Sequence, residues 1–216
     1  MLSTIILAGL ATSISAHGVI TSPPVRAVGQ AMIDNCGASV AALVQADVTS
    51  HVEDMPEAAA LIPGFNATAC PLFLCKGLQF EDNVANVQEF APGEVVNMKA
   101  ILPIPHEGPM NVSIIDTATN TAIGQPLIEF ASYADESLAV LPANNTDFDV
   151  TIPTTLGAKC AVAGACVMQW FWFGTGAQQT YESCVDMVVP AAAAAVVPNT
   201  AVAVPNAAVV ATPLRC

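Results

Sequence analysis

Positive charge is scarce in this chain: five Lys and Arg side chains stand against 18 Asp and Glu, for a formal net charge of -13. Such a field repels phosphate backbones and anionic lipid surfaces, which argues against a nucleic-acid partner and leaves neutral or cationic ligands compatible. Long apolar runs are also missing. The stretch 2–14 is too short to span a bilayer, and the Ala/Val-rich end is interrupted by prolines every several residues, so no membrane span is expected. Paired CxxC spacing is absent, which removes the usual signature of a structural zinc site. No aromatic-flanked acidic pair stands out, which argues against hydrolysis of a glycosidic bond by two carboxylates. Histidine is limited to three positions, His17, His51 and His106.

What is present reads as an exported domain. The apolar stretch ends in Ser15 and Ala16, small residues of the kind that precede a signal-peptidase cut, so residues 1–16 are expected to be a secretory signal and His17 the first residue of the mature protein. The chain length suits a single folded unit with appendages, here 17–189. Six cysteines lie inside it, Cys36, Cys70, Cys75, Cys160, Cys166 and Cys184, enough for three disulfides in an oxidising compartment. Cys160 and Cys166 bracket the Gly-containing loop AVAGA and are expected to pair; the other four allow three connectivities, and Cys216 is left over. Sequons at Asn66, Asn111 and Asn144 are candidate glycosylation sites on a secreted surface. Residues 190–216 read as a linker or tail, with cell-surface anchoring as an alternative.

The organisation inside 17–189 is mostly β. GVITSPPVR starts as a strand and is stopped by Pro23 and Pro24, which cannot donate to a ladder. Residues 38–47 have helical spacing, DMPEAAALI adds a turn or two, and the chain then makes a long, cysteine-tied excursion to about Phe80. Beyond it come short β-rich runs at 95–102, 111–117, 125–130, 148–153, 166–173 and 184–189, separated by turn residues. Short strands without intervening helices predict an all-β immunoglobulin- or fibronectin-like β-sandwich carrying a long disulfide-tied loop region and short helices. In QWFWF the alternation puts Trp170 and Trp172 on one face and Phe171 and Phe173 on the other, and all four are expected in the core.

The chemistry concentrates on the histidines. A mature N-terminal histidine offers an α-amine and a ring nitrogen from one residue, and a free α-amine has a pKa near about 7.7 to 8.0, so a metal displaces its proton at modest cost. One further imidazole completes three nitrogens, a donor set that suits the tetragonal preference of Cu(II). His106 sits in a turn between two expected strands, where a sheet end can aim it. His51 lies in the acidic, loop-like ADVTSHVEDMP, where nothing local fixes its geometry, and reads as an exposed loop histidine. Arg26, Glu107 and Asp186 read as supporting or solvated groups.

The start HGVITSPPVR, the turn PHEGPMNVSIID and the ending CVMQWFWF with QQTYESCVDM together resemble the copper-dependent lytic polysaccharide monooxygenases, specifically the chitin-binding type-4-like domain of secreted fungal proteins, over 17–189. The resemblance implies one copper ion held by His17 through amine and ring and by His106, with Tyr181 at the axial position. Gln179 matches a glutamine that bonds an oxygen species near the metal, and Tyr181 and Gln179 are thereby the implied catalytic residues. It further implies a secreted, monomeric enzyme that cleaves chitin, cellulose or a related wall glucan oxidatively with an external electron donor. Copper binding or carbohydrate binding without catalysis, on the same scaffold, is the alternative; a tyrosine packed into the sandwich is the competing reading of Tyr181.

Overall fold

The computed structural model describes residues 17–190. The expected signal segment 1–16, the tail beyond Pro190 and Cys216 lie outside the described residues.

In chain order the elements are β1 (His17–Ser22), α1 (Gln30–Cys36), α2 (Ala38–Ala46), α3 (Asp54–Ala60), β2 (Gln88–Glu89), β3 (Val95–Ile104), β4 (Gly108–Asp116), β5 (Thr121–Ala122), β6 (Ile128–Tyr133), β7 (Asp147–Thr151), β8 (Cys166–Gly174) and β9 (Gln179–Val188), with short 3-10 turns between them. They form two sheets. The smaller has the order β1-β3-β7; the larger runs β2-β9-β8-β4-β5, with β6 also paired to β4. Every pairing is antiparallel except that of β2 with β9. This is an all-β sandwich with three short helices.

Alternation explains the smaller sheet. In β3, Val96, Met98 and Ala100 point into the core while Asn97 and Lys99 face solvent, and in β7 Phe148 and Val150 alternate with exposed aspartates. The central strands of the larger sheet are covered on both faces. Met168, Trp170, Trp172, Tyr181, Val185 and Met187 fill the space between the sheets. Val167 and Cys184 turn the other way and pack with Met32, Val40, Val44 and Met55 of the helical layer. Both tryptophans are fully buried, as expected from the alternation, whereas Phe171 and Phe173 are only half-buried.

Three disulfides tie the helical layer and the loops: Cys36–Cys70, Cys75–Cys184 and Cys160–Cys166. The second fastens the 70–80 excursion directly to β9. Asn66 and Asn144 are exposed; Asn111 is half-buried in mid-β4, and the Ser113 of its sequon is buried and its hydroxyl donates to Asn111 Oδ1 at 2.9 Å.

β9 begins at Gln179, five residues earlier than the run 184–189 suggested. The reason is tertiary. Glu182 and Asp186 occupy its outer face, and each is buried against a cation brought from elsewhere in the chain. Asp186 receives the Arg26 guanidinium at 2.8 and 2.7 Å and is 1 % exposed, which corrects its reading as a solvated group.

Candidate functional site

One end of the sandwich collects the residues that the sequence singled out. The antiparallel register of β1 on β3 sets His17 opposite Ile104, two residues before His106. The turn at 105–107 then crosses to β4 of the other sheet, and the Thr175 amide donates to the Glu107 carbonyl at 2.9 Å, which binds that turn to the β8–β9 connection. At the base of the same connection Gln179 pairs with Gly174 and Tyr181 with Trp172.

Two glycines permit this approach. A Cβ on Gly18 would lie 2.9 Å from Trp172 Cζ3 and 3.2 Å from Trp170 Cη2, rings of the core that have no room to retreat. A Cβ on Gly108 would lie 1.8 Å from the Phe173 carbonyl oxygen, so β4 starts against β8 only because glycine is there. The Trp172 ring beneath Gly18 is stacked on Tyr181, with centroids 4.5 Å apart. Gly18, next to His17, thus sits over the ring that stacks on Tyr181.

The side chains differ in environment. His106 is 7 % exposed, and its Nδ1 is buried with no hydrogen-bond partner among the described residues. Tyr181 is fully buried and its hydroxyl donates to Gln179 Oε1 at 2.7 Å. Burial first, then the carboxylates of Glu53, Asp47 and Asp54, push the phenol far above its usual range, so it stays neutral. His17 is partly exposed, and its Nε2 lies 2.8 Å from Asp47 Oδ2. Burial works to raise the Asp47 carboxyl, but hydrogen bonds from Thr49 and the charges of His17 and Lys76 outweigh it and hold Asp47 below its ordinary value.

His51 departs from its reading as an exposed loop residue. Its side chain is 11 % exposed, its ring meets Tyr181 edge-on at 6.3 Å, and Glu53 Oε2 and Asp54 Oδ2 stand 3.2 and 3.5 Å from its two nitrogens. What fixes it lies outside its own neighbourhood in sequence: the Val52 amide donates to the Thr180 carbonyl, and the Thr180 amide donates back to the Glu53 carboxylate. The 47–53 segment therefore runs as a strap from His17 to Tyr181.

Beneath the strap lies Lys76, 1 % exposed, whose Nζ donates to the carbonyls of Val48 and Ser50. Its backbone amide donates to Glu182 Oε2 at 3.0 Å. Burial lowers the Lys76 ammonium to about 8 and raises the Glu182 carboxyl to about 7. Asp47, Lys76 and Glu182 escaped the sequence reading, because no spacing or motif relates Asp47 to a histidine thirty residues upstream; the sole local hint was a lysine in a segment otherwise apolar and cysteine-tied.

Among the described residues no group of three or more His, Cys, Asp or Glu side chains is arranged to hold a metal ion. Asp47 engages Nε2 and not Nδ1, the ring nitrogen within chelate reach of the main chain. The buried Nδ1 of His106 has no hydrogen-bond partner among the described residues, so no such bond ties that nitrogen up. Two imidazoles and an amine would suit copper if the chain began at His17.

No family model matches the chain, and no curated protein does. Solved structures do. A chitin-binding domain from Burkholderia pseudomallei matches at 14% identity over 81% of this chain and 99% of that one, with a TM-score of 0.42. A cellulose-active LPMO in complex with copper matches at 14% identity over 81% of this chain and 100% of that one, with a TM-score of 0.39. A lytic polysaccharide monooxygenase from Thermobia domestica in the Cu(I) state matches at 15% identity over 47% of this chain and 62% of that one, with a TM-score of 0.30. The structural neighbours of this sandwich thus include lytic polysaccharide monooxygenases and a chitin-binding domain.

Proposed function

We propose that the chain, cut between Ala16 and His17, is a secreted copper-dependent polysaccharide monooxygenase that cleaves glycosidic bonds in chitin, cellulose or a related glucan, with electrons from an external donor. The observation that carries this reading is the register of β1 on β3, which brings His17 to the same sandwich end as His106. Bound copper supplies one-electron chemistry toward oxygen or peroxide. The chain's own contribution is geometric. His17 would hold the ion through its amine and Nδ1, and His106 through its ring, on sheet ends rather than on a free loop. Tyr181 closes the buried side as a neutral phenol, and its hydrogen bond to Gln179 keeps that hydroxyl directed. The strap 47–53 covers the flank toward the helical layer. Among the described residues no helix is long and apolar enough to cross a membrane.

A second reading, copper binding without polymer cleavage, is favoured by one observation. Both tryptophans and both tyrosines are buried at 0%, and the one strongly exposed aromatic, Phe73, is tied to Asn120 in the β4–β5 turn at the opposite end. The histidine end thus lacks the amphipathic rings that proteins commonly present to partners. One experiment separates the two. Protein starting at His17, copper-loaded and given ascorbate, is incubated with a panel of chitin, cellulose and soluble glucans. Oxidised oligosaccharides are expected; tight copper binding with no product from any polymer selects the second reading, and no copper binding removes both.

A further inference from the structure

Asp47 faces His17 from the helical layer. Asp47 closes α2, with its amide donating to the Leu43 carbonyl at 3.3 Å. Its Oδ1 accepts two hydrogen bonds from Thr49, from the amide at 2.8 Å and from the hydroxyl at 2.6 Å. The Thr49 carbonyl in turn accepts from the Gly18 amide at 3.1 Å, next in sequence to His17. Lys76 holds the carbonyls on either side of Thr49, those of Val48 and Ser50. The carboxylate thus has one oxygen committed to its own loop and the other, Oδ2, aimed at His17 Nε2 from 2.8 Å.

We infer that Asp47 is the positioning residue of His17, fixing both the ring orientation and the tautomer that leaves Nδ1 able to receive a metal. A carboxylate only accepts, so Nε2 must carry the proton in this contact, and a neutral imidazole with hydrogen on Nε2 has its lone pair on Nδ1. Metal-bound histidines generally need such a partner on the distal nitrogen, and its loss typically lowers metal affinity about 10–100-fold. Here the partner comes from a helix end and is braced by a buried lysine, so the ring is oriented before any metal arrives. This inference rests on the copper reading for its consequence but not for its geometry.

The test uses protein beginning at His17. In the metal-free wild type, nitrogen NMR correlations of His17 are expected to report hydrogen on Nε2 and none on Nδ1; the opposite tautomer overturns the inference without any variant. In Asp47→Ala the two nitrogen shifts are expected to move toward the average of exchanging tautomers, with copper affinity by calorimetry reduced about 10–100-fold. Asp47→Asn has one acceptor oxygen for the two places that the carboxylate serves; with that oxygen kept by Thr49 its NH2 faces Nε2, and hydrogen is expected to move toward Nδ1 with copper affinity reduced as in Asp47→Ala, a tautomer shift that a merely structural role would not produce. Unchanged His17 shifts and unchanged affinity in Asp47→Ala overturn the role assigned to Asp47. Failure of the wild type itself to bind copper overturns the copper reading instead, while the tautomer measurement still decides the geometry.

Discussion

The buried pair of Arg26 and Asp186 gives a sharp test of how β1 is held, because it anchors the segment that follows that strand. Arg26 Nε and one terminal nitrogen donate to the two Asp186 oxygens at 2.8 and 2.7 Å, and the other terminal nitrogen donates to the Leu78 carbonyl at 2.8 Å. The side chains are 6% and 1% exposed. Asp186→Asn keeps the shape and removes the charge, leaving a guanidinium buried without its counter-ion, which costs about 3–5 kcal/mol. For a domain of this size each kcal/mol shifts the melting temperature by about 2–4 °C, so a drop of about 6–20 °C is expected in calorimetry. The control is the exposed pair Lys99–Asp147, equally short at 2.9 Å but with side chains 53% and 52% exposed. Water already solvates those charges, so Asp147→Asn is expected to leave the melting temperature almost unmoved. Replacing both buried partners, Arg26→Met with Asp186→Leu, is expected to recover most of the loss, since the cost lies in an unpaired charge and not in the absence of a pair. A shift for Asp186→Asn as small as that of the surface control would refute the reasoning.

Three further outcomes follow from the site. Leaving Ala16 on the chain caps the His17 nitrogen as an amide and is expected to weaken Cu(II) binding sharply in a competition titration, in keeping with the need for a deprotonated donor; undiminished binding would remove the chelate. His106→Ala is expected to lower copper affinity sharply, whereas His51→Ala, which strips an edge contact from Tyr181, is expected to lower thermal stability and leave copper affinity near wild type; equal affinity losses would show that His51 is a ligand. The buried pair beneath the strap sets a pH profile. Burial raises Glu182 from 4.5 to about 7, so the folded chain binds that proton more tightly and stability falls as pH rises through about 4.5 to 7. Burial lowers Lys76 from 10.5 to about 8, so the cost of its buried charge is fully present below about pH 8 and is relieved as pH rises toward 10.5. Denaturant unfolding is expected to show this dip near pH 7 to 8, and Glu182→Gln to flatten its acid side; an unchanged acid limb would contradict the assignment.

Much of this was legible in the residues themselves. Alternation in VVNMKAIL and FDVTI specified strands with one buried face, because side-chain direction in a strand reverses at every residue. The Ala-rich spacing of 38–47 specified α2, and the prolines at 23 and 24 ended β1. The histidines were legible as chemistry, since an imidazole beside a prospective amine is a chelate by covalent structure alone. The short helix 30–36 was not legible: QAMIDNC has two buried positions and a glycine before it, and what holds it comes from elsewhere, the Asp82 carboxylate accepting the Ala31 and Met32 amides at 2.9 Å each and the Cys36–Cys70 disulfide.

What tertiary structure alone decided is every relation across long stretches of chain. The pairing of Arg26 with Asp186 spans 160 residues, and that of the Lys76 amide with Glu182 spans 106. No local preference encodes either. Asp47 facing His17, and His51 held edge-on to Tyr181, arise because α2 and the strap pack on β9. Periodicity and covalent chemistry act within a few residues and survive in the bare sequence, whereas the orientation of a functional side chain depends on groups that only folding brings within hydrogen-bond reach.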